Sequence, residues 1–199
     1  MSAVRRVGYE TSKSFEAKGR PQASFWDRFL VGTAILEIGY RGHSEGHLPI
    51  TEHAIGVDLD FAGYDGVNLP FAAESQDAVY SSHCLEHIAD SMYAICEWFR
   101  VLRIGGHLIT VVPSAFLYER TILVPPSRWN GDHKRAYTPA SLLREIEIAL
   151  LPNTYRVRHC QDNDDGYDYS RQPHDHPHGC YEIEMVIQKI APPNWKLGE

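Results

Sequence analysis

The chain has 199 residues, 43% of them hydrophobic and 23% charged, a globular composition long enough for one well-buried core and short for two. The formal net charge of −7 weighs against a broad phosphate-binding surface, so a nucleic-acid partner is a minor option. No apolar run approaches the ~20 residues that span a bilayer, and no apolar stretch of secretory type follows Arg5 and Arg6, so a cytoplasmic protein without a membrane partner is expected.

Residues 1–23 are polar, with Gly and Pro, and read as an N-terminal extension draped over the domain. Ser24–Leu30 looks like a short amphipathic helix. Ala34–Ile38 is a compact apolar run followed by Gly39, the pattern of a buried strand. Ala54–Asp58 and Asp77–Ser81 are two more. Ser91–Leu102 carries apolar residues at Ile95, Trp98, Phe99 and Leu102, one face of a helix capped by Asp90 or Ser91 and ended by Gly105-Gly106. His107–Val112 reads as a strand closed by Pro113. Thr138-Pro139 is a cap followed by proline at the first helical position, opening a helix to about Leu150. Tyr155–His159 and Tyr181–Lys189 are the last strands. No helical pattern separates them, so they pair antiparallel through the polar loop at 160–179. The expectation is one α/β domain over 1–199: a doubly wound, mostly parallel sheet with a C-terminal antiparallel strand pair. The four cysteines, Cys84, Cys96, Cys160 and Cys180, have no CxxC spacing and read as reduced thiols.

Five segments in order carry a resemblance. Leu36-Glu-Ile-Gly-Tyr-Arg-Gly42 places an acid and glycines after the first strand. Gly56-Val-Asp58 ends the second strand on an acid. Asp65-Gly-Val-Asn-Leu-Pro-Phe71 joins an acid to Leu-Pro-Phe. Ser75–His87 ends in Leu-Glu-His, and Glu97–Gly106 leads into the strand closed by Pro113. Together they resemble the class I S-adenosylmethionine-dependent methyltransferase family of the small-molecule type. Two departures stand out. Arg41 and His43 hold places where the family has glycines, with Gly42 and Gly46 nearby. Only six residues separate Asp58 from Asp65, where the family commonly fits a helix and a strand.

The resemblance implies S-adenosylmethionine as cofactor and gives each position a role. Asp58, 21 residues after Glu37, would bind the ribose diol, with Leu59 beside it. Glu37 would face the cofactor's ammonium group, and Gly39 and Tyr40 would form the turn beside its methionine part. Asp65 and Gly66 would meet the adenine. Ser82 and His83 end the fourth family strand at the ligand crevice, and His83 is a candidate wall of the transfer site. His87, one helical turn later, reads as structural, and Cys84 and Cys96 as packing residues.

The acceptor side is read from position and chemistry. Residues 114–137 leave the carboxyl end of a central strand and form a cap whose Tyr118–Tyr137 part is rich in Arg, Trp, Tyr and His. His133 is the candidate general base, with a capping loop histidine as the plain alternative and its orienting partner open. His174, His176 and His178 alternate with Asp175 and Pro177 and could share a metal with an acid; a solvated loop is the simpler reading, and no metal is assigned. The expected reaction is methyl transfer to a small-molecule or glycan acceptor, at a hydroxyl, with oligomeric state left open. The alternative is a catalytically silent methyltransferase-like subunit that binds cofactor or a partner. A nicotinamide oxidoreductase fails because no GxGxxG follows Ala34–Ile38.

Overall fold

The computed structural model describes residues 28–40, 49–120, 130–172 and 174–195. The extension at 1–23, most of the helix expected over 24–30, Arg41, Gly42, His43 and Gly46, and the centre of the 118–137 loop lie outside the described residues.

Six strands form one sheet: β1 (Ile35–Ile38), β2 (Ala54–Val57), β3 (Gln76–Ser82), β4 (Leu102–Pro113), β5 (Tyr155–Asn163) and β6 (Glu182–Lys189), in the order β2-β1-β3-β4-β6-β5. β1 pairs in parallel with β2 and β3, and β3 with β4. β6 runs antiparallel to both β4 and β5, so the α/β sheet with a reversed C-terminal pair forms as the pattern implies. From β1 the chain moves outward to β2 and then returns past β1 to β3. The carboxyl ends of β1 and β3 therefore diverge, which is where open α/β sheets take their ligands.

Two helices, α1 (Ser91–Val101) and α2 (Pro139–Ala149), cover one sheet face. Trp98, Val101, Leu142 and Ile146 meet Leu36, Val79, Leu108, Ile183 and Met185 in the main core. The Asp90 side chain accepts from the Tyr93 N–H at the start of α1. Thr138 and Ser141 cap each other's backbone at the start of α2, with Pro139 following the cap. A smaller cluster of Phe29, Ile50, Tyr80, Ile109, Val111 and Val186 lies on the other face.

Three boundaries differ from the sequence pattern. α1 stops at Val101, short of Gly105-Gly106, because Leu102 is already paired opposite Gln76. The ladder shifts there, and Gly105, at φ +88°, lets residues 103–106 bulge before His107 pairs with Ala78. β5 continues to Asn163, whose side-chain amide donates to Glu182 and Glu184 across the pair at 3.1 Å each. Residues 58–75 run as turns, without a helix or strand between β2 and β3. α1 supplies what a packed helix would: Arg100 donates to the Leu69 and Phe71 carbonyls at 3.1 and 3.0 Å, and Glu97 accepts from the Leu69 N–H at 3.2 Å. Among the described residues no helix is long and apolar enough to cross a membrane.

Candidate functional site

A cavity of about 490 Å³ opens at the carboxyl ends of β1, β2 and β3. Gly39 forms its floor at the end of β1. Asp58 and Leu59 follow β2, Tyr64, Gly66 and Val67 come from the loop between β2 and β3, and His83 and Cys84 follow β3. His87, Ile88 and Asp132 close the far side. The volume is that of an ordinary small-ligand site.

Gly39 turns with φ +76°, and a Cβ there would meet the Cys84 Cβ and Sγ at 2.6 Å. Only glycine lets the chain turn at the end of β1 with Cys84 packed this closely against it. Burial, with Glu86 nearby, pushes the Cys84 thiol up to about 12, so it stays protonated and unreactive. Burial likewise raises the Tyr64 phenol, whose O–H donates to the Gly66 carbonyl at 2.9 Å. Leu59 is 73% exposed, a large apolar side chain that lines the cavity with Val67 and Ile88. An acid at a strand end, a glycine floor and an exposed apolar slot fit a nucleoside with a ribose diol and a flat base.

Gly39, Asp58, Leu59, Gly66 and His83 thus share one cavity, and five other expected site residues lie elsewhere. Glu37 is buried and accepts from the Ile50 N–H at 2.5 Å, so its carboxylate holds the crossover chain and does not face the cavity. Tyr40 is buried against Gly56, where an added Cβ would meet its ring at 2.3 Å. The exposed Asp65 carboxylate turns back on its own loop, accepting from the Val67 and Asn68 N–H groups at 3.0 and 2.7 Å and from the Asn68 amide at 2.6 Å. These bonds hold its pKa below the usual carboxylate range, the Asn68 side chain contributing most. Ser82 is buried beneath the strand end, paired with Val111.

His133 is the fifth. It is 6% exposed and stands behind His87, outside the cavity lining. Its partner is Glu119, absent from the sequence reading, with Oε1 2.9 Å from Nδ1. Burial of both groups separates them from solvent, so His133 does not reach an acceptor as a single base.

The wall beside His133 is polar and tightly held. A short 3-10 turn, Leu85–His87, buries Glu86 and exposes His87. Arg135 donates to the Leu85, Ile88 and Ala89 carbonyls around that turn, and the Lys134 N–H donates to the Glu86 carbonyl at 2.7 Å. These bonds bring His133 against residues 47 and 46 positions earlier: its Nε2 is 4.0 Å from Glu86 Oε1, and its ring centroid is 4.8 Å from that of His87. His83, at φ +49°, presents Nε2 to Glu182 Oε1 at 3.5 Å. A non-glycine residue in that region is sparsely populated and is held there by its surroundings. The 174–178 loop does not gather its histidines: exposed His174 lies 3.7 Å from Asp175, whereas His176 packs edge-on to Tyr118 and Tyr181. Glu86 stands in the sequence only as the middle of Leu85-Glu86-His87, and Glu119 lies between Tyr118 and Arg120, so neither is marked as a site acid.

Comparison with known proteins supports the frame. Residues 44–110 match the family model described as a methyltransferase domain. No curated protein matches the sequence. An S-adenosylmethionine-dependent methyltransferase from Mesorhizobium loti superposes with a TM-score of 0.57 at 16% identity, covering 89% of this chain and 100% of that one. One from Archaeoglobus fulgidus gives 0.54 at 13%, covering 89% and 94%. The cyclase SpnF gives 0.57 at 15%, covering 94% and 88%, so the same fold also serves other chemistry. Residues 44–110 thus resemble a methyltransferase domain, and the strand order is the Rossmann-like fold of these solved methyltransferases.

Proposed function

We propose that the chain transfers a methyl group from S-adenosylmethionine to a hydroxyl of a small-molecule or glycan acceptor. The observation that carries this is the cavity at the divergence of β1 and β3, where Gly39, Asp58 and His83 meet. Asp58 binds the ribose hydroxyls, and Leu59, Val67 and Ile88 flank the base. The bound cofactor supplies a sulfonium methyl: a lone pair of the acceptor oxygen forms the new C–O bond, the C–S pair returns to sulfur, and the hydroxyl proton leaves.

His83 receives that proton. It lines the cavity, and the buried Glu182 carboxylate 3.5 Å from its Nε2 stabilises the imidazolium. His133 gives up the role of base because Glu119 and burial hold it away from the cavity. The silent-subunit reading draws on Glu37 and Asp65, both engaged within the chain.

Two measurements test the proposal. Titration with S-adenosylhomocysteine in the presence of chelator gives saturable binding; no heat at millimolar ligand removes the reading. His83→Ala, assayed with an acceptor found by screening, lowers turnover by about 10²–10⁴ with cofactor affinity unchanged. Cofactor binding with no turnover across a broad hydroxyl library returns the protein to the silent-subunit reading.

A further inference from the structure

We propose that Glu86, His87 and His133 form a binding site for a divalent transition-metal ion at the acceptor end of the cavity. One ligand atom from each lies within 4.8 Å of the others. The protons of both imidazoles are accounted for on the far side of each ring. His133 Nδ1 is 2.9 Å from the Glu119 carboxylate, and His87 Nδ1 is 3.3 Å from the Asp132 carbonyl. Both partners only accept, so each Nδ1 carries the proton and each Nε2 presents a lone pair.

Those two lone pairs converge on Glu86 Oε1, at 3.6 Å from His87 and 4.0 Å from His133. The distances are too long for hydrogen bonds. The Glu86 side chain is 1% exposed, and neither of its oxygens has a hydrogen-bond partner. Three acceptors thus converge beside the cavity, with the Glu86 carboxylate buried and lacking a hydrogen-bond donor, an arrangement a cation would satisfy. Ligand atoms sharing an ion at bonds of about 2.0–2.2 Å stand roughly 3–3.5 Å apart, so small rotations of these side chains close the site. The Asn130 amide, 3.2 Å from His133 Nε2, donates to the same lone pair and turns aside when the ion binds.

The surroundings match metal-site construction. Glu119 and Asp132 act as the outer acceptors that fix each ring's tautomer and direction. Two imidazoles and one carboxylate suit Zn²⁺, Mn²⁺, Fe²⁺ or Co²⁺ and disfavour Mg²⁺ or Ca²⁺. Three protein ligands leave a coordination position open, as catalytic sites do. His87 and Asp132 line the cavity, so that position is reached from the acceptor side. There a bound ion would hold and polarise an acceptor oxygen, with Glu86, His87 and His133 as its protein ligands. This role rests on the methyl-transfer reading; ion binding itself does not.

The test is titration of EDTA-treated, desalted protein with CoCl₂, followed by visible absorption and calorimetry. One Co²⁺ per chain binds, with ligand-field bands that ZnCl₂ displaces. His87→Gln, at an exposed side chain that leaves the core untouched, abolishes the bands while the melting temperature stays that of wild type. Glu119→Gln weakens Co²⁺ binding by about 10–100-fold, the effect of losing an outer acceptor. No stoichiometric binding, or binding unchanged in His87→Gln, overturns the site. Cofactor product that binds in chelator while Co²⁺ does not removes the metal site alone. Co²⁺ that binds while the cofactor product does not removes the methyl-transfer reading and leaves the metal site.

Discussion

Replacing Gly39 by alanine tests the turn on which the cavity is built. The new Cβ lies 2.6 Å from two atoms of Cys84, where ordinary contact begins at 3.4 Å, and the residue stands at φ +76°. The backbone term costs about 1–2 kcal/mol in the left-handed region. Overpacking against Cys84 adds about 1–3 kcal/mol. Together they give about 2–5 kcal/mol, a fall of roughly 4–20 °C in melting temperature for a domain of this size. Gly105→Ala separates the terms: that residue has φ +88° and nothing within 4 Å of an added Cβ. It loses only the backbone part, about 1–2 kcal/mol or roughly 2–8 °C. The assay is paired thermal and urea melts of both variants, with S-adenosylhomocysteine affinity measured on each. Gly39→Ala weakens that affinity, because the Cys84 it displaces lines the same cavity, and Gly105→Ala does not. Gly39→Ala melting at or above the temperature of Gly105→Ala refutes the steric argument.

Three further outcomes follow from the same structure. Asp58→Ala loses about 1.5–3 kcal/mol of hydrogen bonding to the cofactor ribose, or roughly 10- to 150-fold in affinity by calorimetry; an unchanged dissociation constant returns Asp58 to a strand-end turn. Burial, with Arg158 and Arg28 adding to it, lowers the His107 pKa in the folded chain. The unfolded chain therefore takes the proton first as pH falls through about 6.5, so the contribution of neutral His107 is full above that value and fades below it. Melting temperature then drops less between about pH 7.5 and 5.5 for His107→Gln than for wild type, and parallel curves refute the assignment. Iodoacetamide at pH 8 with peptide mapping labels exposed Cys160 faster than half-buried Cys84, whose thiol is pushed up to about 12; equal labelling contradicts that shift.

The residues legible in the sequence are those that a strand end positions. A run such as Ala54-Ile-Gly-Val fixes its own direction, so the acid after it had to emerge at the carboxyl edge, and Asp58 does. Gly39 and His83 follow β1 and β3 by the same logic. What a carboxylate does after leaving the strand depends on its nearest donors, and that is tertiary information. Asp65 found the N–H groups of its own loop, and Glu37 found Ile50 across a crossover. The meeting of Glu86, Glu119 and His133 was illegible for a related reason. No local period links them, and Arg135, which clamps one segment on the other, reads in sequence as one more surface charge.

The self-bonded Asp65 loop has a kinetic consequence. Asp65, Asn68, Arg100 and Glu97 fold the 64–71 segment before any ligand arrives. A base entering beside Gly66 and Val67 meets a finished wall and has no segment to order. Little conformational entropy remains to be lost on that side, so association is a single encounter step. Stopped-flow traces for cofactor binding should be single exponentials whose rates rise linearly with ligand concentration, without the plateau that a slow ordering step imposes.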